Sequence, residues 1–303
     1  MTRHVGRART GVAAVALLLL AVCWGCQSRT QSEGGTERKI LDESAEKPSA
    51  GDKQSGEKEG GESTVLSVVT PVYARGLPYA SVDGEEVRGY LATPQDDEEH
   101  PGVVLVHDWW GLNDDVRKAA RRLAGEGFNV LAVDLYRGRV ATSPGRAEEL
   151  MRELKKHSDR AVKNLDAARR YLLENTATSS VGVVGWGPGA EMAMGALVHT
   201  EGAFGAGVLY YGRVMGDSYD VSRLSAPVLG IFASDDATIP RSRVETFAGR
   251  LKKAGPDGSR VRIYSGVGHG FASPSSSTYD ERSARRAWSQ TVDFLNRHLG
   301  GDG

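Results

Sequence analysis

Thiols are nearly absent from this chain: among 303 residues only Cys23 and Cys26 are cysteine. Everything beyond Cys26 is therefore without a disulfide, a thiolate metal site or a cysteine nucleophile. An excess of either charge is also missing. The 38 basic and 39 acidic residues leave a formal net charge of -1, which gives no electrostatic footprint for nucleic acid. The longest apolar run, "GVAAVALLLLAV" at 11–22, falls short of the roughly 20 residues that a membrane-spanning helix needs.

That run is informative in another way. Arg3, Arg7 and Arg9 precede it and "CWGC" follows, which are the proportions of an export signal. Gly25 before Cys26 resembles a bacterial lipoprotein site, with Cys26 as the lipidated residue, although Cys23 rather than Leu stands three residues earlier. Reading "LAVC", with Cys23 as acceptor, supplies the Leu but puts Val before the cysteine. Plain secretion and an uncleaved anchor are the other readings. All of them export the folded part; with Cys26 lipidated it is held to a membrane of the bacterial cell envelope. Residues 27–64 mix Glu, Lys, Ser and Gly with almost no apolar side chains. Such a stretch buries too little surface to offset chain entropy and reads as a disordered tether. The expected organisation is thus a signal at 1–26, a linker at 27–64 and one domain at 65–303.

Within that domain, strands alternate with helices. "VRGYLATP" (87–94) reads as an early strand, and the apolar runs in "PGVVLVHDWWG" (101–111) and "NVLAVDLY" (129–136) as strands buried on both faces. Between them, Asn113 caps a helix whose apolar stripe is Val116, Ala119, Ala120 and Leu123. A long helical segment is expected over 145–175. Further units follow: 181–186 with a helix at 188–199, 206–212, 227–233 with 241–254, and 261–266 with 280–299. This order predicts an α/β fold, a doubly wound, mainly parallel sheet with helices on both faces.

In such sheets ligands sit beyond the carboxyl ends of the strands, and four of those ends carry unusual residues. The strand at 102–106 runs into His107, Asp108, Trp109 and Trp110. The strand at 181–186 runs into "GWGPG", a tight glycine turn entering a helix. Asp235 and Asp236 follow "PVLGIFAS", and His269 lies in the glycine-rich "SGVGHGF". Glycine elbow, then acid, then histidine is the chain order of α/β hydrolases. There the histidine takes a proton from the elbow nucleophile, and a buried acid holds its tautomer. Plainer readings stand beside each residue. An Asp pair after a strand is often a turn and cap, His107 is a hydrogen-bonded strand-end residue, and Asp134 organises a turn. Trp109, Trp110 and Trp186 rim a pocket or simply cap the sheet, and Tyr210 and Tyr211 line it or pack beneath it.

The motifs "GYLATP", "PGVVLVHDWWGLNDDVRKAARRLAGEGFNVLAVDLYRG", "VGVVGWGPGA", "VLYYG", "PVLGIFASDDATIP" and "IYSGVGHGFASPSSSTYDERSARRAW" together resemble the dienelactone hydrolase family over roughly residues 75–299. The resemblance implies an α/β-hydrolase fold and hydrolysis of small esters and lactones by an elbow Cys or Ser, with no cofactor or metal. By motif it puts the acid on Asp236, because Ile239-Pro240 follow at the family's interval, and the base on His269. It makes the backbone N–H of Trp109 an oxyanion donor and places Asp108 where the family has an acid near its nucleophile. Trp186 and Tyr211 are the further pocket residues.

Two adjacent positions break the pattern. Gly187 stands in the nucleophile position and has no functional group. Pro188 follows it, where the family donates a second oxyanion N–H that proline lacks. The arginine expected soon after the histidine is Ser273, and Arg137 and Arg139 are out of register with the other, so a carboxylate-bearing dienelactone fits poorly. Three functions follow: a catalytically degenerate protein that binds a small ester- or lactone-like molecule or a partner in the old pocket; a hydrolase in which His269 and Asp236 activate water directly; or a cell-surface scaffold.

Overall fold

The computed structural model describes residues 71–214 and 219–300; the expected signal, the Cys26 lipidation site and the linker lie outside them. Among the described residues eight strands form one sheet. They are β1 (Val72–Val82), β2 (Glu85–Pro94), β3 (Gly102–Val106), β4 (Asn129–Val133), β5 (Val181–Trp186), β6 (Ala206–Tyr210), β7 (Val228–Ala233) and β8 (Arg260–Tyr264). Their spatial order is β1-β2-β4-β3-β5-β6-β7-β8. The β1–β2 hairpin and the β2–β4 pair are antiparallel and the remaining pairs parallel, so the doubly wound, mainly parallel expectation holds.

The short continuous apolar runs became the central strands. All residues of β3, β4, β6 and β7 are buried, as strands covered on both faces must be. Among the described residues six α-helices cover them: α1 (Asp114–Gly125), α2 (Pro144–Lys156), α3 (Ser158–Asn175), α4 (Pro188–His199), α5 (Arg241–Ala254) and α6 (Glu281–Leu299). Asn113 caps α1 as expected, its Oδ1 accepting from the Val116 N–H at 3.1 Å. The apolar helix α4, buried from Met192 through Val198, has no polar face because it is enclosed.

Two expectations need correction. The segment 145–175 is two helices, not one. His157 leaves helical geometry at φ -126° and ψ 39°, its N–H closing α2 on Leu154 O at 3.0 Å and its carbonyl starting α3 by accepting from Ala161. The apolar stripe runs on through the bend, so periodicity does not mark it. The second is β1, which precedes the expected early strand. It is an edge strand with half its residues exposed, and a bulge between Pro78 and Ala80 blunts that edge against further pairing.

The sheet order reverses at β3, with β4 on one side and β5 on the other. The crevice at such a switch point is where open α/β sheets bind ligands. Here it brings the turn after β3 next to the turn after β5.

Candidate active site

The turn after β3 is anchored by His107. This buried imidazole donates from Nδ1 to Asp108 O at 2.7 Å and accepts at Nε2 from the Leu135 N–H at 3.2 Å. Both nitrogens are spent, and burial pushes its pKa down. His107 is a neutral strut, the strand-end role read from sequence. Asp134 is likewise a turn organiser, accepting from the N–H groups of Tyr136 and Gly138.

Asp108 Oδ1 accepts from the Trp110 N–H at 2.8 Å. Burial, with a smaller push from Asp115, raises its carboxyl to about 6 against the pull of Trp110 N–H and His269. Ionising it in the fold is therefore unfavourable. The unfolded value lies lower, so the penalty is absent at low pH and full once pH exceeds the folded value. Asp108→Asn, which keeps the acceptor for Trp110, is expected to gain about 1 kcal/mol of stability relative to wild type on going from about pH 5 to about pH 8. Chemical denaturation at the two pH values measures it, and parallel curves would contradict the buried-acid reading.

Trp109, packed on Trp110 with ring centroids 4.8 Å apart, leaves its backbone N–H without a partner among the described residues. Opposite it lies the β5–α4 turn. Gly187 has φ 52° and ψ -118°, its N–H donates to Tyr210 O at 2.9 Å, and a Cβ built on it would meet nothing within 4 Å. Pro188 occupies the first helical position, where a missing N–H is tolerated.

Asp236 and His269 come together from the loops after β7 and β8. His269 Nδ1 donates to Asp236 Oδ2 at 2.8 Å, and Oδ1 accepts from the N–H groups of Thr238 and Ile239 at 2.7 and 2.9 Å. Burial pushes the Asp236 carboxyl upward, but His269 first and Thr238 second outweigh it and hold the acid below its ordinary range. Asp235 stays outside this arrangement, bonded by Ser234 Oγ. The Asp236 side chain is 1% exposed and the His269 side chain 39%. His269 Nε2 has no partner among the described residues.

Asp108, Trp109, Gly187, Pro188, Tyr211 and His269 line one cavity of about 590 Å³. Tyr211 adopts a positive φ of 35°, an uncommon conformation for a bulky residue that collects at functional sites. Its ring lies edge-on to His269 at 5.1 Å, and its buried hydroxyl has no partner among the described residues. Burial first, and the nearby Asp108 second, push that hydroxyl well above the usual phenol range. Sequence reasoning missed Arg213, Thr238 and the Lys155–Glu191 ion pair (2.9 Å) on the same cavity. Met151 and Lys155, one turn apart on α2, offered the only periodic hint.

Trp186 is elsewhere. It stacks on Tyr210 at 5.3 Å and 26° and lines a neighbouring cavity between α1 and α6. Expecting it beside His269 overlooked strand alternation: Trp186 pairs with Tyr210 in register, so the two share a sheet face, whereas Gly187 and Tyr211 come one residue later.

The dienelactone hydrolase family model matches residues 87–299. The chain belongs to the dienelactone hydrolase family. It is 32% identical over 224 residues to Protein usf of Aquifex pyrophilus, covering 72% of this chain and 96% of that protein. It is 30% identical over 234 residues to a carboxymethylenebutenolidase homolog of Rattus norvegicus, covering 72% and 90%. Among solved structures, a dienelactone hydrolase-like promiscuous phosphotriesterase from metagenomic libraries superposes with a TM-score of 0.68 at 20% identity, over 76% of this chain and 99% of that one; this last likeness concerns the fold. In this dienelactone hydrolase family member an oriented imidazole and a backbone N–H without a partner among the described residues line the same cavity as a turn whose central residue is glycine.

Proposed function

We propose that this dienelactone hydrolase family protein is exported, held at the cell envelope through Cys26, and uses the old active site to bind a small ester- or lactone-like molecule without forming an acyl-enzyme. The observation that carries the reading is Gly187 followed by Pro188 at the elbow. Removing a triad nucleophile costs on the order of 10⁶ in turnover, and losing one oxyanion donor costs about 10²–10³. Ser234, two residues before the acid, has its hydroxyl engaged with Asp235 at 2.6 Å, and none of the serines on the cavity wall hydrogen-bonds His269 among the described residues. The cavity keeps its shape because glycine adopts the elbow backbone at little cost.

Purified protein is expected to give no acyl-enzyme burst with aryl esters or lactones. It should gain thermal stability from a bound lactone such as γ-butyrolactone, and His269→Ala, which removes a ring from the cavity wall, should lower that gain. Turnover by the wild type that His269→Ala eliminates would overturn the reading.

A second reading draws on the 2.8 Å bond from His269 to Asp236. An imidazole fixed in this tautomer leaves Nε2 to take a proton from water, and a positioned base contributes about 10²–10⁴. Slow hydrolysis of activated esters, lowered in Asp236→Ala, would favour it. Equal rates in wild type and Asp236→Ala would dispose of it.

A further inference from the structure

A second cavity, of about 190 Å³, adjoins the first between α1 and α6. The two share Asp108 and Ser273 as walls. Its floor and sides are Trp186, Tyr210, Trp288 and Tyr279, with Val116 and Ala119 from α1 and Ala284 from α6. The polar atoms of two of these rings are already engaged. Tyr210 donates its hydroxyl to Thr291 Oγ1 at 2.7 Å, and Trp288 donates Nε1 to Glu126 at 3.4 Å. What they offer the cavity is ring surface. Tyr210 covers one face of the Trp186 indole, and the Arg122 guanidinium stands 4.2 Å from the Trp288 ring centroid.

We propose that this cavity is a second subsite, which takes a single aromatic ring carried by the same molecule whose carbonyl end lies beside Trp109 and His269. The proposal rests on the binding reading above and extends it to a class of ligand: a monocyclic aryl group joined through a short link to an ester-like carbonyl. Size supports one ring, because an apolar protein cavity of about 150 Å³ takes benzene. Chemistry supports an aromatic one. Indole and phenol rings prefer offset or edge-on aromatic neighbours, and Arg122 and Arg285 on the rim attract a π face. Continuity supports one molecule over two, since the shared wall at Asp108 is one residue from Trp109. That wall holds a buried carboxyl raised to about 6, so in mildly acidic conditions an entering ring meets a neutral group.

Calorimetric titration of the full chain with three probes, and with cyclohexylacetone as a non-aromatic control, tests this. Phenol presents the ring alone, γ-butyrolactone the carbonyl alone, and phenylacetone both in a form that cannot be hydrolysed. Phenylacetone is expected to bind at least about tenfold more tightly than phenol or cyclohexylacetone. Ala284→Leu, which fills the cavity from α6, should weaken phenol and phenylacetone about tenfold and leave γ-butyrolactone unchanged. Ala119→Leu repeats the filling from α1 in case the first variant misfolds. His269→Ala should weaken phenylacetone while leaving phenol unaffected. Ring binding that ignores both filling variants, or phenylacetone no tighter than phenol, overturns the subsite. If γ-butyrolactone still binds in a His269-dependent manner, only the subsite falls; if it does not bind, the reading of the main cavity falls with it.

Discussion

Gly187→Cys combined with Pro188→Ala is expected to turn this chain into an esterase, raising turnover of activated aryl esters at least about 10³-fold over wild type. The pieces that such chemistry needs beyond the nucleophile are in place. His269 is already held by Asp236 at 2.8 Å, and the Trp109 N–H has no partner among the described residues. A Cβ on Gly187 meets nothing within 4 Å, so a thiol enters open space on the cavity wall. The cost lies in the backbone. At φ 52° a side chain is strained by about 1–2 kcal/mol, which should appear as a lowered melting temperature without loss of fold. Gly187→Cys alone, with Pro188 retained, should recover about 10²–10³-fold less, because one oxyanion donor is still missing. Adding His269→Ala to the double variant should return it to baseline. A folded double variant with no gain would mean that the surviving acid and base are not aligned for acyl transfer.

The parts of the fold that were legible in the sequence are those where one physical requirement dominates. β3 through β7 read as short apolar runs because both faces are covered, and α4 is apolar all round because it is enclosed. The acid and the histidine were legible from chain order and from the strand ends that bear them. What stayed hidden depends on tertiary contacts. Nothing in the apolar stripe of 145–175 marks the bend at His157, and β1 alternates too weakly, interrupted by Gly76 and Pro78, to announce itself. The side occupied by Trp186 was in principle readable from period-two alternation against its partner Tyr210. Its nearness in sequence to Gly187 pointed the other way. Tyr211 was visible only as a pocket candidate, because its positive φ and the burial of its hydroxyl exist only once β6 is docked.

The three glycines of "GWGPG" should behave quite differently on substitution, and Gly189→Ala is expected to be the severe case. A Cβ there would lie 2.7 Å from Val106 O and nearer still to His107 O. These are backbone atoms at the end of the central strand β3 and cannot swing aside. Gly185 is similar, its Cβ falling 2.5 Å from Gly189 C and O. To admit a methyl, α4 must lift off β3, and α4 is buried along its length. Overpacking of this kind costs about 1–3 kcal/mol where side chains can adjust. Here the obstacle is backbone, so a loss above about 4 kcal/mol is expected, the range that marks a specific structural fault. That approaches the whole stability of a typical domain, so Gly189→Ala should accumulate poorly and show little cooperative unfolding. Gly187→Ala should lose only about 1–2 kcal/mol from its left-handed backbone. Urea titrations of the two variants give the contrast directly. Equal, small losses would mean that α4 does not press on β3 as closely as Gly185 and Gly189 allow, and that the elbow lacks the rigid seat on which a restored nucleophile depends.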